Sequence, residues 1–146
     1  MNTQPDFEEL LGLLEKHDVE YMIIGGYAVA FHGFPRFTKD LDIWFEASPP
    51  NVERLKRALV EFGFEERDLD TKAFTEPGNI LTFGVPPVRV DLLNSIDGVT
   101  FEQARPGMVK GKYGQVAARF IGRAELLKNK RSTSRTRDKA DAEELE

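Results

Sequence analysis

The sequence predicts a single α/β domain of the α+β kind, spanning residues 1–146, with a mixed β-sheet flanked by helices. Three observations predict it. Amphipathic helical periods are interspersed with short apolar or alternating runs. Those runs follow no strict βαβ rhythm, which favours a mixed sheet over a doubly wound parallel one. A length of 146 residues, 40% hydrophobic and 31% charged, suits one core of ordinary size.

Each element has a local reason. Phe7, Leu10, Leu11 and Leu14 fall at i, i+3, i+4 and i+7, and with Asp6 as N-cap they predict a helix over about residues 6–17. Residues 19–24 form a short buried strand, which runs into Gly25-Gly26. A two-turn helix, Tyr27 to His32, follows and stops at Gly33. Beyond Pro35, residues Lys39 to Glu46 alternate, so Leu41, Ile43 and Phe45 face one side and Asp40, Asp42 and Trp44 the other. Ser48-Pro49-Pro50 starts a helix that carries Val52, Leu55, Leu59 and Phe62 on one face and ends at Gly63. Residues 65–77 are polar and carry no clear period. Ile80–Phe83 and Val88–Leu93 read as an antiparallel hairpin across Gly84-Val85-Pro86-Pro87. Met108–Lys112 and Gln115–Ile121 pair across Tyr113-Gly114, and two helices cover about 122–130 and 135–145.

Composition excludes several chemistries. With no cysteine there is neither a disulfide, a thiolate metal site nor a cysteine nucleophile, and His17 and His32 are too few for a zinc cluster. Any metal must rest mostly on oxygen ligands. No stretch approaches the roughly 20 apolar residues that span a bilayer, and the first 20 residues, with six acids, do not read as a secretory signal. A cytoplasmic protein without a membrane partner is the expectation. The net charge of −5 gives no general drive toward nucleic acid, although Lys128, Lys130, Arg131, Arg135, Arg137 and Lys139 crowd into one late segment.

The paired acids carry the functional reading. Two residues apart on a strand, Asp40 and Asp42 leave the same face with Cα atoms about 6.5 Å apart. Converging anions repel unless a cation lies between them, and a hard ion such as Mg²⁺ or Mn²⁺, with oxygen ligands at about 2.1 Å for magnesium, suits such a pair. Asp91 has a matching setting between Val90 and Leu92. Three acids on adjacent strands can hold two ions about 3.5 to 4 Å apart, an arrangement that activates an attacking oxygen and stabilises a leaving phosphate. Gly25-Gly26, between strand and helix, lets backbone approach a phosphate and presents free N–H groups.

A strand, Gly-Gly, a thirteen-residue spacer, Asp-x-Asp between apolar residues and a lone acid on a later strand together resemble the polymerase-beta-type nucleotidyltransferase superfamily. More narrowly, "GGYAVAFHG", "RFTKDLDIW", "VRVDLL" and "RSTSRTRDKADAEEL" resemble small bacterial nucleotidyltransferases of minimal and toxin–antitoxin systems, over about residues 19–145. The resemblance implies metal ligands at Asp40, Asp42 and Asp91 and triphosphate contact at Gly25 and Gly26. Where the superfamily often has serine, Gly26 has no hydroxyl, and backbone donors or Thr38 take its place. The implied reaction moves a nucleoside monophosphate from a nucleoside triphosphate, ATP first among them, to an acceptor hydroxyl, with Mg²⁺ or Mn²⁺.

Plainer readings stand beside these. Asp40 and Asp42 also fit the wet face of an edge strand, Gly25-Gly26 a tight turn, and His32 a capping or packing residue rather than a base. Trp44 fits either the core or a base-stacking role. Arg36 and Thr38 reach phosphate in one reading and are structural loop residues in the other. The late basic segment, with Lys128 its best single candidate, is either a clamp on triphosphate or RNA or a solvated connection. Two other function classes compete: a catalytically inactive nucleotide-binding module within a toxin–antitoxin-like pair, and a nucleotide-sugar glycosyltransferase. A cognate antitoxin or a second copy is a candidate partner. A protein side chain, a tRNA end and a small molecule all remain open as acceptor.

Overall fold

The computed structural model describes residues 3–34, 38, 40–133 and 136–146. Helix α1 (Pro5–Lys16) starts with Pro5 at its first position, where the missing N–H costs nothing, so Gln4 and not Asp6 is the N-cap. Asp6 sits instead in the first turn, where its charge complements the helix dipole. Strand β1 (Tyr21–Ile24) passes straight into α2 (Gly25–Phe31), two residues earlier than expected. Gly25, at φ 69°, makes that junction without a loop, a conformation that a side chain would resist. Strand β2 spans Asp40–Phe45, and α3 (Pro49–Phe62) ends on Gly63 at φ 135°.

The polar stretch beyond α3 holds a 3₁₀ turn at Glu66–Asp68 and the short α4 (Thr71–Thr75), capped by the Asp70 side chain. Strands β3 (Ile80–Phe83) and β4 (Arg89–Leu93) form the expected antiparallel hairpin, as do β5 (Val109–Tyr113) and β6 (Val116–Phe120). Between the hairpins, α5 (Phe101–Ala104) begins with a capping box made by Thr100 and Gln103. Helices α6 (Arg123–Arg131) and α7 (Thr136–Leu145) close the chain.

The six strands form one mixed sheet in the order β3-β4-β2-β1-β6-β5. Strand β2 runs antiparallel to β1 and parallel to β4, and β1 is parallel to β6. Both faces are covered. Against α1 and α3 the sheet turns Tyr21, Ile23, Leu41, Ile43, Phe45, Val90 and Leu92, and against α2, α6 and α7 it turns Met22, Ile24 and Trp44. Covering both faces is why β1 reads as a continuous apolar run. Asn51, fully buried, ties the start of α3 to the strands: its Nδ2 donates to the carbonyls of Glu20 (2.9 Å) and Glu46 (2.7 Å), and its Oδ1 accepts from the Glu20 amide (2.7 Å). Among the described residues no helix is long and apolar enough to cross a membrane.

Candidate active site

Strand pairing assembles the acids. The parallel register of β2 and β4 sets Asp42 opposite Asp91, and Asp40 opposite Arg89. In such a ladder, opposed residues share a face, so Asp42 and Asp91 approach closely enough to share a hydrogen bond. Asp91 Oδ1 also accepts from Thr82 Oγ1 at 2.7 Å and from Arg89 Nε at 3.3 Å. On the other side of Asp42, the first residue of α2 packs so tightly that a Cβ at Gly25 would collide with Asp42 Oδ2.

Asp42 and Asp91 line a cleft of about 530 Å³. Asp97 and the side chains of Ser132 and Thr133 form its far wall, and Ile80 and Leu93 give it an apolar side. Ile80, on the outermost strand, is 56% exposed. The turn that carries Asp97 is pinned to α6: Asn129 Nδ2 donates to the Asp97 carbonyl at 3.0 Å, and Gly98 leaves no room for a Cβ beside Ser132 and the Lys128 carbonyl.

Electrostatics marks Asp42 out. Burial pushes its carboxyl up to about 7, and the charge of Asp91, the hydrogen bond to Asp91 and the charge of Asp40 push the same way, while the Lys130 ammonium pulls it down. Two carboxylates this close and this dry need a proton or a cation between them. Because the folded value lies above the ordinary 3.8, the native state keeps a proton that the unfolded chain has lost. The stability from that proton is complete below about pH 4 and is lost as the pH rises through about 7. Urea midpoints of the metal-free protein should therefore fall more steeply between those pH values than midpoints of Asp42→Asn. Equal slopes would return Asp42 to an ordinary carboxylate.

The expected three-carboxylate convergence is narrower in the fold. Asp42 and Asp91 come together, and Asp40 acts on Asp42 through its charge from beside Arg89. Among the described residues no group of three or more His, Asp or Glu side chains stands assembled for a metal. The Asp42–Asp91 pair still fits a divalent ion by its chemistry: hard oxygen donors, partly buried, whose burial and mutual repulsion raise Asp42 and would be relieved by a cation.

The remaining candidates are distributed around this pair. Gly25 and Gly26 open α2 beside Asp42. Thr38 Oγ1 donates to the Asp40 carbonyl at 3.3 Å, and Arg36 lies outside the described residues. Lys128 faces an adjoining groove of about 540 Å³, shared with Arg131 and Glu125, which meets the acidic cleft at Ser132. Trp44 is core, not a stacking platform: it is 1% exposed and packs edge-on to Phe101 at 5.0 Å. His32 is structural, its Nε2 lying 2.8 Å from the Ile121 carbonyl.

Lys130 is the residue that the sequence hides. It is buried in α6, with Nζ 2.7 Å from Asp138 Oδ1 and 3.4 Å from Asp141 Oδ2 on α7, and its charge reaches Asp42. In the sequence it is one lysine in a basic run. A signal was present all the same, since Leu126 and Lys130 are four apart on one helical face, as are Asp138 and Ala142 in the helix opposite.

No protein-family model matches the chain, and no curated protein matches it either.

Proposed function

We propose that the protein is a metal-dependent nucleotidyltransferase, which moves a nucleoside monophosphate from a nucleoside triphosphate such as ATP to an acceptor hydroxyl. One observation carries this reading: the register of β2 and β4 opposes Asp42 and Asp91 in a cleft, directly beside the glycine junction that opens α2. Asp42 and Asp91, with Asp40 two residues before, would hold the divalent ion. A bound ion there supplies charge stabilisation to the phosphate.

The protein's own residues do the positioning. The triphosphate lies over Gly25 and Gly26, where backbone can approach it closely, with Thr38 just before β2 and Lys128 from the adjoining groove as further contacts, and Arg36, outside the described residues, as a candidate from the sequence alone. The acceptor oxygen attacks the α-phosphorus, the bond to the bridging oxygen of the leaving pyrophosphate breaks, and the hydroxyl proton passes to a carboxylate of the cleft. Positioning and fixed charge account for most of such catalysis, and a small domain suffices for that. Transfer to a protein, a tRNA or a small molecule obeys the same chemistry.

Two measurements test the reading. Calorimetry should give about tenfold or more tighter ATP binding with Mg²⁺ or Mn²⁺ than with chelator, because bare carboxylates repel the phosphates. Equal affinities would refute metal-mediated binding. Incubation with labelled triphosphates, Mg²⁺ and cell extract should then label one discrete species. Binding without any labelled product would favour the inactive nucleotide-binding module.

A further inference from the structure

We infer that the chain forms a two-fold dimer by pairing strand β3 with β3 of a second copy, which joins two six-stranded sheets into one. The inference is independent of the reaction proposed above. A terminal strand turns a row of backbone N–H and C=O groups outward, and folds guard such a row with charges, prolines or a covering segment. The two ends of this sheet differ in that respect. At one end β5 carries Lys110 and Lys112, both exposed, on either side of Gly111. At the other end β3 reads Ile80-Leu81-Thr82-Phe83, without such a guard, and among the described residues no strand lies beyond it.

The chemistry of this edge says what covers it. From Pro77 to Val88 the sequence has no charged residue, in a chain that is 31% charged with a net charge of −5. Two copies repel each other over most of their surfaces, and this run is where they approach at least cost. A strongly charged partner finds no counter-charge there, whereas a second neutral strand does not need one. Ile80 and Val85, both exposed on the hairpin, add apolar surface that pairing would cover. The strand is also held ready. Asn94 Nδ2 donates to the carbonyls of Phe74 (3.1 Å) and Glu76 (2.7 Å) and its Oδ1 accepts from the Gly78 amide (3.1 Å), which fixes the entry to β3. Thr82 Oγ1, bonded to Asp91, ties the strand to β4 from the other side.

Strand geometry selects the register. A two-fold axis normal to the sheet keeps the same face upward in both copies, so residues of like parity must oppose each other. Centring the axis on Leu81 sets that residue against Leu81 of the second copy, and Ile80 against Thr82 of the second copy. Thr82 opposes Asp91 in the β3–β4 ladder and so shares its face. Ile80 of the second copy therefore lies on the cleft side of the sheet, next to Thr82, and extends the apolar wall that Ile80 and Leu93 begin. The pairing also closes. It consumes both β3 edges and leaves only the lysine-bearing β5 edges, so the assembly stops at two copies instead of growing into a fibre.

Sedimentation equilibrium of the full chain tests the pairing. Between about 1 and 500 µM the mass should pass reversibly from 16.5 kDa to twice that value, with a dissociation constant of about 10 µM, as suits a small interface. Ile80→Lys and Ile80→Glu, at a position too exposed to matter to the fold, should each weaken the dimer at least about tenfold. The two side chains at position 80 are diagonal neighbours across the axis, and like charges there repel. An equimolar mixture of the two variants should recover the dimer, because opposite charges then meet. Val109→Lys, on the β5 edge, should dimerise like the wild type. A monomer at every concentration, growth beyond two copies, or variants at position 80 that associate like the wild type would overturn the inference. Loss of the dimer in Val109→Lys would overturn it as well, by moving the interface to β5, and a mixture that stays monomeric would overturn the register centred on Leu81.

Discussion

Asp91→Asn is expected to lower nucleotidyl transfer by at least about a hundredfold, the scale of losing a preorganised electrostatic group, while fold and Mg²⁺–ATP binding persist. The amide keeps the shape and the Oδ1 atom, so Thr82 and Arg89 retain the acceptor they now share at 2.7 and 3.3 Å. The side chain is only 16% exposed, so retaining those bonds matters to the fold. Removing its charge also takes away the strongest charge interaction that raises Asp42, whose carboxyl then moves back toward the ordinary range. Metal-free stability near neutral pH should thus hold or rise slightly. Nucleotide binding should survive on Asp40, Asp42 and the glycine junction, while the reaction loses one of the two opposed carboxylates of the cleft. Single-turnover transfer from labelled ATP, read beside calorimetry, separates the two. Wild-type turnover in Asp91→Asn would remove Asp91 from the reaction, whatever its contacts in the fold.

The parts of the site legible in sequence were those fixed within one strand or one turn. Asp40 and Asp42 share a face because strand geometry leaves no choice, and Gly25-Gly26 marked the strand-to-helix junction through the one residue type that tolerates its backbone. The hairpins were legible for the same reason, since each is closed by a local turn. Pairing between distant segments was not. Nothing in either strand alone says that β2 lies parallel to β4, or that Asp42 meets Asp91 while Asp40 meets Arg89. That register is chosen by which residues the two faces of the whole sheet can bury together. Trp44 shows the same limit: alternation put it on the acids' side, but α5 covers that part of the sheet and makes it core. Asp6 lost the N-cap to Gln4 because Pro5 takes the first helical position and places Asp6 inside the first turn.

Lys130→Met is expected to destabilise the fold by about 3 kcal/mol and to shift the pH profile of the site, two effects from one ammonium group. Its side chain is 6% exposed, and it lies 2.7 Å from Asp138, which is 1% exposed, and 3.4 Å from Asp141. Removing one member of a buried ion group is costly because the remaining charges stay desolvated without it. Methionine matches much of the lysine stem, so lost packing is a minor part of the loss. The joint between α6 and α7 should loosen, and with it Thr133, whose hydroxyl is fixed by the same Asp138 carboxylate. The second effect runs through space to the cleft. Lys130 pulls the Asp42 carboxyl down, so its removal lets burial and the neighbouring acids push that group higher still. A cation must displace the proton from Asp42 to bind, and Mg²⁺ binding should therefore need a higher pH in the variant than in the wild type. Urea unfolding measures the first effect, and Mg²⁺ titrations across pH measure the second. A variant equally stable to urea would mean that the buried cluster contributes nothing net. An unmoved Mg²⁺ profile in a destabilised variant would confine Lys130 to the α6–α7 joint and detach it from the chemistry of Asp42.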